Sequence, residues 1–124
     1  PNAEQFISFL KTIEPAKVDR TVSSGEILAE FGGLEIVHTP GHMPGHISVY
    51  VPSSKTLIAG DAVVLERGQL EIANPEFTLN LHEALTSVRR LLQFDIDHLI
   101  CFHGGLFQGD VRGALETLIK KYRM

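Results

Sequence analysis

The stretch that most limits what this chain can become is "TPGHMPGHIS", residues 39–48. Pro40 and Pro44 cannot serve a helix interior, and Gly41 and Gly45 weaken one, so no stable helix runs through it. The stretch has to be a loop, with two histidines four residues apart on a stiff backbone. "ISVYV" follows at once, with the β-branched content and alternation of a strand. Any fold for this chain must therefore feed a rigid, histidine-bearing loop straight into a sheet.

The neighbouring segments supply that sheet and its helices. Asn2 and Gln5 are spaced as a cap before Phe6, Phe9, Leu10 and Ile13, which recur at helical intervals until Pro15 stops them. "ILAEF" and "LEIVH" flank Gly32 and Gly33 and predict a tight hairpin. A second hairpin joins "ISVYV" to "TLIAG" through "PSSK", and "VVLE" and "QLEI" around Arg67 and Gly68 predict a third. Asn80 and Glu83 cap a helix whose Leu81, Leu85, Val88 and Leu92 share a face. "DHLICF" from Asp97 is a short apolar strand, with Asp95 and Asp97 shaping the turn into it. A last helix starts at about Asp110 and buries Val111, Ala114, Leu115, Leu118 and Tyr122. The fold class is α/β in the loose sense: a mixed, largely antiparallel sheet with helices.

Length, charge and cysteine content narrow the function. A chain of 124 residues is one domain or part of one. A formal charge of −4 with both signs interspersed offers no basic surface for a phosphate backbone, so a nucleic-acid partner is not expected. No apolar run is long enough for a transmembrane helix, and no membrane role is expected. The lone cysteine, Cys101, has no partner for a disulfide and falls at a buried strand position, as a small core residue would. A cytoplasmic location is the expectation, with any targeting signal upstream of Pro1 outside the sequence.

The second hairpin places two chemical groups together. If Val51 faces Thr56, the register carried back sets His46 opposite Asp61, where Cβ atoms are roughly 5 Å apart and an imidazole and a carboxylate can share a metal ion. Asp61 follows Gly60 at a strand end, and His103 ends "DHLICF" just before Gly104 and Gly105. Three candidate ligands thus occupy three strand-to-loop junctions. A His–Asp pair is also an ordinary hydrogen-bonded pair, and His42 reads equally as a ligand or as a turn residue holding its own loop. His38, His82 and His98 carry no assigned chemistry.

"TPGHMPGHISVYVPSSKTLIAGDAV", followed after a helix by "HLICFHGG", resembles the C-terminal half of the metallo-β-lactamase superfamily of metal-dependent hydrolases. The similarity extends upstream through "KVDRTVSSGEILAEFGGLEIVHTPGH", so residues 1–124 are identified as the C-terminal half of such a domain. The resemblance implies an αββα sandwich holding two zinc ions, or iron or manganese, with a metal-bridging hydroxide as nucleophile. Carried across residue by residue, His46 would ligate one metal, Asp61 would bridge both, and His103 would ligate the other, with His42 supporting the loop from behind. Such a mechanism is sound, because a divalent ion lowers the pKa of bound water to about 7 and polarises the carbonyl under attack.

The family's His-x-His-x-Asp-His cluster is absent, and no HxH occurs in the chain. Two functions of different class follow. One is a hydrolase of an ester, thioester, lactone or amide when complete, inactive as this chain alone, with a single-iron sulfur oxygenase as a variant on the same residues. The other is a non-catalytic half-domain that acts in association. Val63, Val64 and "ERGQLEIANPEF" would border a pocket for a small-molecule substrate. Apolar residues on both faces of the strands predict a sheet covered on both sides, hence a homodimer or a strand-exchanged oligomer if the second cover is missing.

Overall fold

The computed structural model describes residues 3–74, 76 and 78–122. The proposed Asn2 cap, and Pro75 and Phe77 of the segment after Asp61, lie outside them. The order is α1 (Ala3–Thr12), β1 (Ile27–Leu28), β2 (Leu34–His38), β3 (Ile47–Val51), β4 (Thr56–Gly60), β5 (Val64–Glu66), β6 (Gln69–Glu71), α2 (Leu81–Leu91), β7 (His98–Cys101), β8 (Gly105–Phe107) and α3 (Val111–Lys121). Six strands form one sheet in the order β1-β2-β3-β4-β7-β8, antiparallel except for the β4–β7 pair. β5 and β6 form a separate hairpin.

One sheet face carries the core. Val37, Tyr50, Leu57, Ala59, Leu99 and Cys101 point toward Val88 and Leu91 of α2 and toward Val111, Leu115 and Leu118 of α3. Each fully buried leucine or valine contributes roughly 1.5–3 kcal/mol. Both helices start on side-chain caps: Asn80 accepts from the Glu83 amide, and Asp110 accepts from the Gly113 amide. Such a cap stabilises by about 1 kcal/mol. The other face presents one apolar row that crosses five strands, Ile36–Val49–Ile58–Ile100–Leu106, each residue directly paired with the next. Ile100 and Leu106 are exposed at the β7–β8 edge. The stripe of α1 is exposed as well: none of its residues is buried, Phe6 and Phe9 included.

Three features depart from the pattern-based reading. The strand from "ILAEF" is only two residues long, because Ala29–Phe31 winds into a 3₁₀ turn closed by Gly32 at φ +80°. The β1–β2 connection is therefore longer than a tight two-residue hairpin. Gly105–Phe107 forms β8, paired antiparallel with β7. Three residues beginning with glycine carry too little periodicity to predict that strand. Finally, the β3–β4 ladder has the expected register, Val51 opposite Thr56, but its recorded pairs end at Val49–Ile58. His46 precedes β3 and Asp61 follows β4, so the two meet beyond the ladder.

Candidate metal centre

The histidine loop is tied to α2. The amides of Asn80 and Leu79 donate to the carbonyls of Gly41 and His42 (2.9 and 3.5 Å), and the Ser87 hydroxyl donates to the Pro40 carbonyl (2.6 Å). Gly41 is buried at φ +133°, and a Cβ there would lie 2.3 Å from the Ala84 backbone, so only glycine lets the loop sit on the helix. Across the loop, the Thr39 amide donates to the His46 carbonyl (3.0 Å).

His46 is held at both ring nitrogens. Nδ1 is 2.9 Å from Thr39 Oγ1, and Nε2 accepts the Asp61 backbone amide at 2.9 Å. Partial burial pushes its pKa down; nearby Asp61 pulls upward and His42 reinforces the depression. The ring is thereby biased toward the neutral form, which alone can ligate a metal. Gly60, at φ +62°, turns the chain beside this ring, where a Cβ would lie 2.8 Å from Nε2. His42 stands edge-on to His46 with centroids 6.4 Å apart. Its Nε2 is 3.8 Å from Asp61 Oδ2, while its buried Nδ1 has no hydrogen-bond partner among the described residues.

His42, His46 and Asp61 are thus brought together, although His46 meets the Asp61 amide and His42 meets the carboxylate. His103 lies in the β7–β8 turn with its side chain exposed. Its carbonyl accepts from the Leu65 amide (2.9 Å), and the neighbouring Phe102 amide donates to the Gly60 carbonyl (3.0 Å). Parallel pairing of β4 with β7 therefore puts Asp61 and His103 in touching loops at one end of the sheet. Among the described residues, no group of three or more His, Cys, Asp or Glu side chains stands ready to hold a metal ion. The donor chemistry still suits one: a neutral imidazole biased by burial, a carboxylate 39% exposed, and an orphaned imidazole nitrogen behind them.

Cys101 is buried at the end of β7, and burial, with Asp61 adding to it, pushes its thiol up to about 11. It is a core residue and not a nucleophile. Asp95 and Asp97 shape the turn before β7: the Asp97 amide donates to the Lys55 carbonyl, and the Asp95 carbonyl accepts from the Tyr50 hydroxyl. His98 is exposed at the start of β7. Sequence patterning gave no weight to Thr39 and Ser48, both fully buried polar residues joined to His46. The available signal was a serine at a core-facing position of β3, alternating with Tyr50.

Comparison with known proteins decides the family. The model of the metallo-β-lactamase superfamily matches residues 3–103. The chain belongs to that superfamily. A probable metallo-hydrolase, YflN, of Bacillus subtilis (strain 168) is 30% identical over 79 residues, covering 55% of this chain and 30% of that protein. The crystal structure of the metallo-beta-lactamase family protein TTHA1429 from Thermus thermophilus superposes with a TM-score of 0.77 at 26% identity, covering 98% of this chain and 40% of that one. TTHA1623, solved in a di-iron-bound form, superposes with a TM-score of 0.62 at 26% identity, over 84% of this chain and 48% of that one. This metallo-β-lactamase-superfamily chain thus spans less than half the length of each of these relatives. Among the described residues, no helix is long and apolar enough to cross a membrane.

Proposed function

We propose that this chain supplies one side of the metal centre of a hydrolase acting on an ester, thioester, lactone or amide. His46 and Asp61 would hold metal from the loops around β3 and β4, and His103 from the turn after β7. The observation that carries the reading is the meeting of His46, His42 and Asp61 within 2.9 and 3.8 Å contacts at the sheet end where the His103 turn also touches β4. A divalent ion there would supply the positive charge that brings the pKa of water to about 7 and polarises a carbonyl. Each residue's part follows from its environment. Burial biases His46 toward its neutral form, so that it would offer Nε2 in place of the Asp61 amide bond, Asp61 would offer a carboxylate oxygen, and His42 backs the carboxylate. Zinc is the ion proposed, two per complete domain, and the di-iron form of TTHA1623 keeps iron open. Metal donors beyond these three would come from residues outside this chain, so the chain alone is proposed to be inactive.

The experiment is hydrolysis of an ester, thioester and lactone panel, with zinc or iron supplied, by this chain and by a longer protein that adds an HxHxDH-bearing segment. The chain alone should stay at background and the longer protein should turn over, with Asp61→Ala abolishing that activity. Metal-dependent turnover by the 124 residues alone would refute the shared-site reading, and full activity of the longer Asp61→Ala protein would remove Asp61 from the site.

A further inference from the structure

Thr39 and Ser48, each 1% exposed, link His46 to the middle of the sheet. Three contacts run in series: His46 Nδ1 to Thr39 Oγ1 (2.9 Å), Thr39 Oγ1 to Ser48 Oγ (2.9 Å), and Ser48 Oγ to the Ala59 carbonyl (3.1 Å). Each hydrogen bond needs one proton. The Ala59 carbonyl has none, so Ser48 donates to it. The only hydroxyl proton of Ser48 is then spent, and Thr39 must donate to Ser48. Thr39 has none left for the ring, so the third bond requires a proton on Nδ1. The opposite side of the ring gives the same answer independently. The Asp61 amide can only donate, and it is 2.9 Å from Nε2, so Nε2 carries the lone pair.

We propose that Thr39 and Ser48 are positioning residues whose buried hydroxyls, together with the Asp61 amide, hold His46 in the Nδ1–H tautomer and orient its Nε2 lone pair toward the Asp61 side. The chain of donors ends on strand backbone, so it cannot reverse without leaving one contact with no proton. The tautomer stands on hydrogen-bond counting alone. Its consequence, that Nε2 is the atom a divalent cation would take over from the Asp61 amide, rests on the metal-centre reading above. A ligating histidine commonly owes its orientation to the partner of its other nitrogen, and loss of such a partner typically weakens metal binding about 10- to 100-fold. Here that partner is a two-hydroxyl relay drawn from the loop and β3.

The test is a long-range nitrogen–proton correlation spectrum of the histidine rings in this chain without metal, with zinc titrations alongside. The wild type and Thr39→Ser should show His46 protonated at Nδ1 only. Thr39→Val, which keeps the shape but not the hydroxyl, leaves the Nδ1 proton without its acceptor while the Asp61 amide still holds Nε2 unprotonated, so the Nδ1–H signal should shift and exchange faster with water and zinc should bind about 10- to 100-fold more weakly, while Thr39→Ser stays near wild type. If Thr39→Val does not fold, Ser48→Ala decides, because it removes the acceptor that orients the Thr39 hydroxyl, and the Nδ1–H signal should shift and exchange faster with water. A wild-type ring protonated at Nε2, or a folded Thr39→Val with an unchanged Nδ1–H signal and unchanged zinc affinity, overturns the proposal. If instead the signatures behave as expected but zinc binding is indifferent to His46→Ala, the metal reading falls and the relay stands.

Discussion

The two glycines of "PGHMPGH" look equivalent in sequence and should differ sharply when replaced. Gly41 is buried at φ +133°, a backbone conformation that costs an L residue about 1–3 kcal/mol. An alanine Cβ would also come within 2.3 Å of Ala84 Cα and N. Those are backbone atoms of α2, so relief requires the loop to lift off the helix, straining the bonds from the Asn80 and Leu79 amides. Overpacking of this kind adds about 1–3 kcal/mol. Gly41→Ala should therefore cost about 2–6 kcal/mol, a large part of the roughly 5–15 kcal/mol a domain has in total. Gly45 is exposed, a Cβ there would meet no atom of the described residues within 4 Å, and its φ is not positive. Gly45→Ala should fall within about 0.5 kcal/mol of wild type. Urea unfolding followed by far-UV circular dichroism, with an unchanged slope, measures both. Equal midpoints for the two variants would show that the loop does not rest on α2 in this way.

Gly60→Ala should displace the His46 ring, because the new Cβ would lie 2.8 Å from Nε2; the His46 ring resonances should shift, and an unaltered histidine spectrum would contradict the contact. Cys101 should resist iodoacetamide in the folded chain and react once urea unfolds it. The folded thiol ionises near 11 rather than 9, so its contribution to stability is complete below about 9 and is lost as pH rises toward about 11. Cys101→Ala should be less sensitive than wild type over that window when urea midpoints are compared. We also propose that a second copy of the chain covers the half-buried to exposed part of the apolar row across the sheet, Val49–Ile58–Ile100–Leu106, Ile36 being buried already, and buries more than about 1,000 Å² in total. Light scattering should find a dimer that Ile100→Lys or Leu106→Lys dissociates, and a monodisperse monomer would exclude it.

How much of this was legible in the sequence depends on the range of the signal. The Asn80 cap, the start of the last helix at about Asp110, the PSSK hairpin with its register, and the burial of Cys101 all rest on short patterns, and the structure carries them as read. Short elements without periodicity were not legible, as β8 and the 3₁₀ turn at Ala29–Phe31 show. The apolar stripe of α1 predicted a helix correctly but not what it packs on, and that stripe is exposed. Periodicity tells which residues share a face and says nothing of whether a partner meets it.

The site shows the same division in finer detail. Extrapolating the β3–β4 register brought His46 to Asp61, yet the contact made is with the Asp61 amide, because Gly60 turns the chain at φ +62° as β4 ends. A register argument fixes which residues are neighbours but not which atom faces which once the ladder stops. The roles of the two histidines separate for a similar reason. His42 and His46 occupy matching places in a repeated Pro-Gly-His unit, and nothing local distinguishes them. What does is the sheet beyond: Thr39 reaches His46 Nδ1 from across the loop, and Ser48 continues the chain to Ala59 on the next strand. His42 has no such support at its buried Nδ1. The difference in environment between the two rings is therefore set by two hydroxyls and a carbonyl on separate segments, a property of the assembled sheet that the repeated Pro-Gly-His unit does not encode.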